Sequence, residues 1–154
     1  MNTILTIGHS TRSLEDFISI LKHYRVTLLI DVRRFPKSRK YPWFSRENLE
    51  EKLVEEGIKY VWMGEELGGY RKGGYASYTK TEDFKRALDK LLEISKGETA
   101  CIMCAEKYPW HCHRKYISIE LQNRGVQVIH ILDLSKTWKP KPLKSTSLEE
   151  HISQ

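Results

Sequence analysis

Short β-branched apolar runs alternate along this chain with stretches whose apolar residues recur at helical spacing. That alternation leaves few folds open: parallel strands buried on both faces, joined and covered by helices. The strand-like runs are Ile4–Ile7, Thr27–Val32, Ile58–Trp62, Thr99–Cys104 and Val126–Ile131. Between them, Leu14, Phe17, Ile18 and Leu21 share one helical face, as do Leu49, Leu53 and Val54, and then Phe84, Leu88, Leu91 and Leu92. Ser13 or Thr11 is placed to cap the first helix, and Ser45-x-x-Asn48 is a poor capping box for the second. A last helix is expected from His111 to about Arg124, ended by Gly125. Residues 64–80, rich in Gly and Tyr, are expected as a long loop, with Leu67–Tyr78 acting as a hinged lid. The expected fold is α/β: a three-layer Rossmann-like sandwich of about five mainly parallel strands in the order 3-2-1-4-5.

At 154 residues the chain has the length of one domain with a real core. Residues 1–134 are expected to form it. Residues 135–154 are expected as an extended arm, because Trp138-Lys-Pro-Lys-Pro142 lacks donors and has fixed φ angles, with a short helix at 147–153. No apolar run approaches the 18 or so residues that span a bilayer, and the N-terminus lacks a signal core. With an odd number of cysteines, three, this points to a reducing compartment and the cytoplasm. The Lys/Glu-rich helices would also suit a thermophile. A net charge of +6 favours anionic partners, a phosphate or a nucleic acid. Neither a cofactor nor an oligomeric state has a signature here.

The chemically capable residues lie where strands end. His9 and Ser10 follow the first strand; Asp31, Arg33 and Arg34 end the second; Glu65 and Glu66 follow the third; Cys104 and Glu106 close the fourth; His130 and Asp133 end the fifth. In a parallel sheet such groups converge on one edge, the usual place for a ligand. Densest of all is Cys104 to Arg114, eleven residues holding Cys104, Glu106, His111, Cys112, His113 and Arg114. Cys101 lies mid-strand and reads as an inert core thiol, on the opposite face from Cys104. Cys104 and Cys112 sit near basic or helix-start positions, which lower a thiol pKa and make a nucleophile, or a redox pair. Cys104, Cys112 and a histidine, with His9 as a fourth ligand, are zinc-type donors, but their spacing matches no familiar zinc pattern, so no metal is expected. Arg114 at a helix start is unhelpful to the helix dipole; holding an anion, or pairing with Glu106, would account for it.

A second constellation runs from Arg33 to Arg46, where six cations and four aromatics occupy fourteen residues. Cations track phosphates and rings stack bases, so this stretch, with Arg39 and Lys40 at its centre, suits a nucleotide or a single strand. A solvated loop pinned by its aromatics is the plainer alternative.

Thr6-Ile-Gly-His-Ser10, Asp31-Val-Arg33 with Pro36 and Ser38, Leu67-Gly-Gly69, and Cys104-Ala-Glu106 followed by Cys112-His-Arg114 together resemble the domain-of-unknown-function 488 family (DUF488) over about residues 3–133. The resemblance implies a small Rossmann-like domain with these motifs at one site, and no established activity. It marks His9, Ser10, Asp31, Arg33, Glu106, Cys112, His113 and Arg114 as site positions. Three functions are then in view. The first is an enzyme acting on a nucleotide, nucleic acid or other phosphorylated substrate. In it His9 or Glu106 serves as acid–base group, Cys104 or Cys112 as nucleophile, His113 beside them, and Ser10, Asp31, Arg33, Arg39, Lys40 and Arg114 bind the substrate, Arg33 and Arg114 holding its anion. The second is a noncatalytic nucleic-acid module, and the third a metal or thiol-redox protein.

Overall fold

The computed structural model describes residues 2–140. Five strands are parallel: β1 (Thr3–Gly8), β2 (Leu28–Asp31), β3 (Lys59–Trp62), β4 (Ala100–Cys104) and β5 (Gln127–Asp133). A sixth, β6 (Lys136–Trp138), runs antiparallel to β5. The order is β3-β2-β4-β1-β5-β6, so β4 and β1 have exchanged the places expected of them. Both are apolar strands able to fill a central position, and β4 buries all five of its residues. What survives the exchange is their adjacency, with Gly8 paired to Cys104 at the carboxyl end.

Helices α1 (Leu14–His23) and α2 (Arg46–Glu55) cover one face, packing Phe17, Leu21, Leu49 and Leu53 against Leu5, Ile7, Leu29, Cys101 and Met103. The Gly/Tyr-rich segment is less loop-like than expected and contains two short helical turns, α3 (Gly64–Leu67) and α4 (Tyr75–Tyr78). They are tied together by Tyr75 and Tyr78, whose hydroxyls donate to the carbonyls of Leu67 and Glu66. Helices α5 (Glu82–Ser95) and α6 (Arg114–Asn123) cover the second face with Phe84, Leu88, Leu91, Ile117 and Leu121, against Ile30, Ile102 and Cys104. Cys101 and Cys104 thus do lie on opposite faces.

Ser13 caps α1, accepting from the Asp16 N–H, and Thr81 caps α5 in the same way. Ser45 does not cap α2. Its hydroxyl accepts instead from the Ser38 N–H at 3.1 Å, and Asn48 donates to the Pro42 carbonyl. The cationic loop is thereby fastened to the start of α2. The last helix begins at Arg114, later than expected, because Pro109–His111 closes into a 3₁₀ turn first. Lys136–Trp138 lengthens the sheet before Pro140, so the start of the expected arm is a strand. The helix expected at 147–153 lies outside the described residues.

Two features fix the sheet's carboxyl edge. The loops after β1 and β4 are zipped together by the His9 and Ser10 N–H groups, donating to the Cys104 and Ala105 carbonyls at 2.9 Å. Gly8 allows this approach, since a Cβ there would lie 1.7 Å from the Glu106 carbonyl oxygen. At the end of β2, Asp31 is fully buried and grips Arg33 by both carboxylate oxygens, at 2.9 and 2.7 Å, while accepting from the Arg33 N–H and the Tyr60 hydroxyl. Removing one partner of such a pair leaves a buried charge uncompensated. Asp31→Ala should therefore cost about 3–5 kcal/mol in urea denaturation. A cost within the range of a surface ion pair, below about 1 kcal/mol, would contradict a structural role for the pair.

Candidate functional site

A cleft of about 1000 Å³ opens at the carboxyl ends of β1, β2 and β4. His9 and Ser10 arrive from β1, Arg33 to Tyr41 from the loop after β2, Cys104 to Lys107 from β4, and Trp110 to His113 from the turn before α6. Gly69, Tyr70 and Tyr75 form a further wall. Ser10 and Tyr70 both hold positive φ, 52° and 61°, which non-glycine residues adopt only when their surroundings impose it. Convergence is real but incomplete. Glu65 and Glu66 after β3 do not line the cleft, and Glu66 pairs with Lys90. Asp133 pairs with Arg12, and His130 is buried within the sheet.

Beneath the cleft lies Arg114, the largest fully buried side chain. One Nη donates to the Thr6 hydroxyl at 2.7 Å, and the other to the Glu106 and Lys107 carbonyls at 2.8 and 3.1 Å. Its Nε is buried with no hydrogen-bond partner among the described residues. Among the described residues it forms no ion pair, so the pairing with the Glu106 carboxylate considered from the sequence is absent; the backbone of Glu106 is used instead. Thr6, having accepted from Arg114, has a hydroxyl proton to give to His130 Nδ1. Burial first, and the Arg114 charge second, lower the His130 pKa from 6.5 to about 3.

Cys104 and Cys112 meet above this guanidinium with Sγ atoms 2.8 Å apart, and both thiols are free. Cys112 also accepts from the Arg114 N–H at 3.4 Å. His113 Nε2 lies 3.2 Å from the Val32 carbonyl, which can only accept, so that nitrogen carries the proton. Its Nδ1 is then the basic nitrogen and faces Cys112 Sγ at 3.7 Å. The two thiols divide accordingly. Cys112 is held well below the ordinary thiol range by the hydrogen bond from Cys104, then by His113 and the Arg114 charge. Cys104, deeper and desolvated, is pushed up and keeps its proton. The pair therefore presents one thiolate and one thiol, with the thiolate on the cleft side.

Glu106 is exposed at the rim, and its carboxylate, Cys104 and Cys112 lie within 4.8 Å of one another. These are possible metal donors, but a tetrahedral zinc with sulfurs at about 2.3 Å would set two sulfurs roughly 3.8 Å apart, so the pair would have to open. His9, the fourth ligand considered from the sequence, has both nitrogens engaged. Nδ1 bonds the Ser10 carbonyl at 3.0 Å and Nε2 faces Arg33 Nη1 at 3.4 Å, while the ring stacks on Phe44. Burial, then Arg33, lower its pKa from 6.5 to about 4. Asp31 lies below the surface of the cleft, and Arg33 at its wall spends its donors on Asp31 and the Phe44 carbonyl. Arg39 and Lys40 line the cleft directly, with Arg34 and Lys37. In the same loop Phe44 is fully buried and Trp43 donates to the Arg12 carbonyl, so these rings pin it. Phe35 instead stays exposed.

Sequence reading missed several contributors. Thr6, mid-strand, gave no sign that it would receive a guanidinium more than a hundred residues away. Tyr75, Trp110, Lys107, Lys115 and Tyr116 line the cleft although none is a catalytic residue type in a recognisable spacing. Their nearness to the Cys/His cluster was the available signal for all but Tyr75, which falls within the Leu67–Tyr78 segment expected as a lid.

The chain belongs to the family described as "Domain of unknown function DUF488", which matches residues 13–121. It is also similar to the tRNA pseudouridine synthase A of Chlamydia felis (strain Fe/C-56), 25% identical over 149 residues, covering 82% of this chain and 54% of that protein. A second relative is the tRNA pseudouridine synthase A of Chlamydia abortus (strain DSM 27085 / S26/3), 30% identical over 88 residues, covering 57% of this chain and 31% of that protein. The chain thus spans about half, or less, of the curated relatives it matches. No solved structure matches it.

The two buried neutral histidines make the site acid-labile. Between the unfolded pKa of 6.5 and folded values of about 4 and about 3, the unfolded chain binds protons that the folded chain does not. Stability contributed by keeping them neutral is complete above that upper value and drains away as pH falls through the window. Urea denaturation should show ΔG rising with pH across it, with a shallower slope in His130→Gln. An unchanged slope in that variant would remove His130 from the account.

Proposed function

We propose that this DUF488 family member is a thiolate enzyme acting on a nucleotide-bearing or otherwise phosphorylated substrate, with Cys112 as nucleophile. One observation carries the reading: the thiol with the depressed pKa lines a cation-lined cleft and accepts from the Arg114 N–H, within the influence of a buried guanidinium that has no ion-pair partner among the described residues. His113 Nδ1 receives the Cys112 proton and is placed to pass it to a leaving group. Arg39 and Lys40, with Arg34 and Lys37, hold phosphate at the rim. Arg33 and Arg114 act from the wall and beneath it, by charge and by shaping the backbone. His9 supports Arg33, and Ser10 offers its hydroxyl to the cleft. Glu106 is the carboxylate at the rim available for proton transfer. The relatives whose printed name is a tRNA-acting enzyme support a nucleic-acid substrate without fixing the reaction.

A dithiol redox role is the second reading, favoured by the 2.8 Å approach of the two sulfurs. It would join Cys104 to Cys112 with the loss of two protons and two electrons to a disulfide or peroxide oxidant. The two readings separate on Cys104. As a thiolate enzyme, the protein should lose turnover of nucleotide or phosphoester substrates by about a thousandfold or more in Cys112→Ser, keep its fold, and retain substantial activity in Cys104→Ser. Phosphate or a mononucleotide should also slow alkylation of Cys112. Equal loss in both variants, with a reversible disulfide in the wild type, would favour the redox reading.

A further inference from the structure

Outside the cleft, the most unusual surface is a row of rings leading away from it. Trp110 lines the cleft wall, 43% exposed. Tyr108 stacks on it at 5.1 Å, and Trp138 of β6 meets its other side edge-on at 5.2 Å. Tyr108 and Trp138 are also about 40% exposed, and Trp138 is backed by the buried His130 ring at 5.5 Å. The row is therefore supported from below and open above. It continues the cleft onto β6, an element whose first role would otherwise be to cover the β5 edge.

Its charges are unpaired, as are those of Lys37, Lys40 and Lys115 in the cleft and of Lys72 and Lys80, among the described residues. Lys22, Lys52, Lys59, Lys85, Lys90 and Lys96 each pair with a carboxylate. Lys107 beside Tyr108, and Lys136 and Lys139 flanking Trp138, form no ion pair among the described residues. Open rings interleaved with unspent cations are what a single strand needs: π-faces for successive bases and charge for the intervening phosphates. A peptide partner of mixed character would match the rings but leave these lysines unbalanced. The rim across the cleft repeats the pattern, with Phe35 and Tyr70 exposed 5.7 Å apart above Arg34, Lys37 and Lys40.

We infer that the Tyr108–Trp110–Trp138 row is a base-stacking track for single-stranded nucleic acid, which carries the strand out of the cleft over β6. The inference rests on the nucleotide reading of the cleft and narrows its substrate to a strand longer than the cleft itself. The track adds affinity for length; it makes no contact with the reacting thiolate.

The test compares an oligonucleotide of about ten nucleotides with a dinucleotide, which is too short to reach β6. Affinity is measured by fluorescence anisotropy, and Cys112 alkylation reports occupancy of the cleft. In Trp138→Ala, binding of the longer strand should weaken roughly fivefold or more, the effect of losing one stacked base. Dinucleotide protection of Cys112 should be unchanged. The double charge reversal Lys136→Glu with Lys139→Glu leaves the rings in place, and should lower oligonucleotide affinity and flatten its salt dependence. Wild-type affinity for the longer strand in both variants would overturn the track while leaving the cleft reading intact if the dinucleotide still protects Cys112. Failure of both nucleic acids to bind the wild type would overturn the track together with the nucleotide reading of the cleft. A dimer of this chain that Trp138→Ala dissociates would reassign the row to self-association.

Discussion

A guanidinium buried with no ion-pair partner among the described residues organises this protein. Arg114 sits under the carboxyl edge of the sheet, tied to Thr6 of β1 and to the carbonyls of Glu106 and Lys107 after β4. These bonds fasten the loop after β4 to strand β1, beside the cleft. They also leave a positive charge in a medium where it is costly unless compensated. The compensation available nearby is a thiolate, and Cys112 is the thiol placed to become one. The residue that ties β1 to the loop after β4 thus also adds to the polarisation of the Cys112 sulfur, behind the larger effects of Cys104 and His113.

Arg33 shows the contrast. It too is buried, but Asp31 meets it with two hydrogen bonds and Tyr60 completes the carboxylate's shell. That pair is internally neutral, although the Arg33 guanidinium still lowers the pKa of the adjacent His9. Its role is positional, holding the Phe44 carbonyl and the His9 ring in place. Two buried arginines one strand-end apart therefore do different work, and the difference lies in whether a carboxylate accompanies each. Above them, the exposed cations of the β2 loop supply the long-range attraction that brings an anion to the thiolate.

Much of this was legible in the chain. Alternation of strand-like and helical runs gave the α/β class, and the Cys104–Arg114 cluster marked the main loop of the cleft. The β1–β4 adjacency was anticipated, although the two strands exchange places, because apolar runs of similar length carry no label of position in a sheet. Convergence of strand-end polar groups held for β1, β2 and β4 and failed for Glu65, Glu66, His130 and Asp133. Side chains at strand ends alternate in direction, and a carboxylate near a lysine finds it before finding the site. Arg114 was identified as anomalous at a helix start, but its partner Thr6 was invisible. A threonine inside an apolar strand looks like any β-branched residue until the fold brings a guanidinium to it.

The central claim, that Cys104 and His113, with the Arg114 charge behind them, make Cys112 a thiolate, is tested most directly by titrating the thiolate ultraviolet absorbance of the folded protein in the wild type, in Cys104→Ala and in Arg114→Gln. Cys112→Ser identifies which sulfur contributes. The account predicts a wild-type midpoint well below the ordinary thiol value of about 8.5, an upward shift in Cys104→Ala that exceeds the one in Arg114→Gln, and loss of the low-pH transition in Cys112→Ser. A Cys112 midpoint at the ordinary value, or one that ignores the loss of the Cys104 thiol, would contradict it.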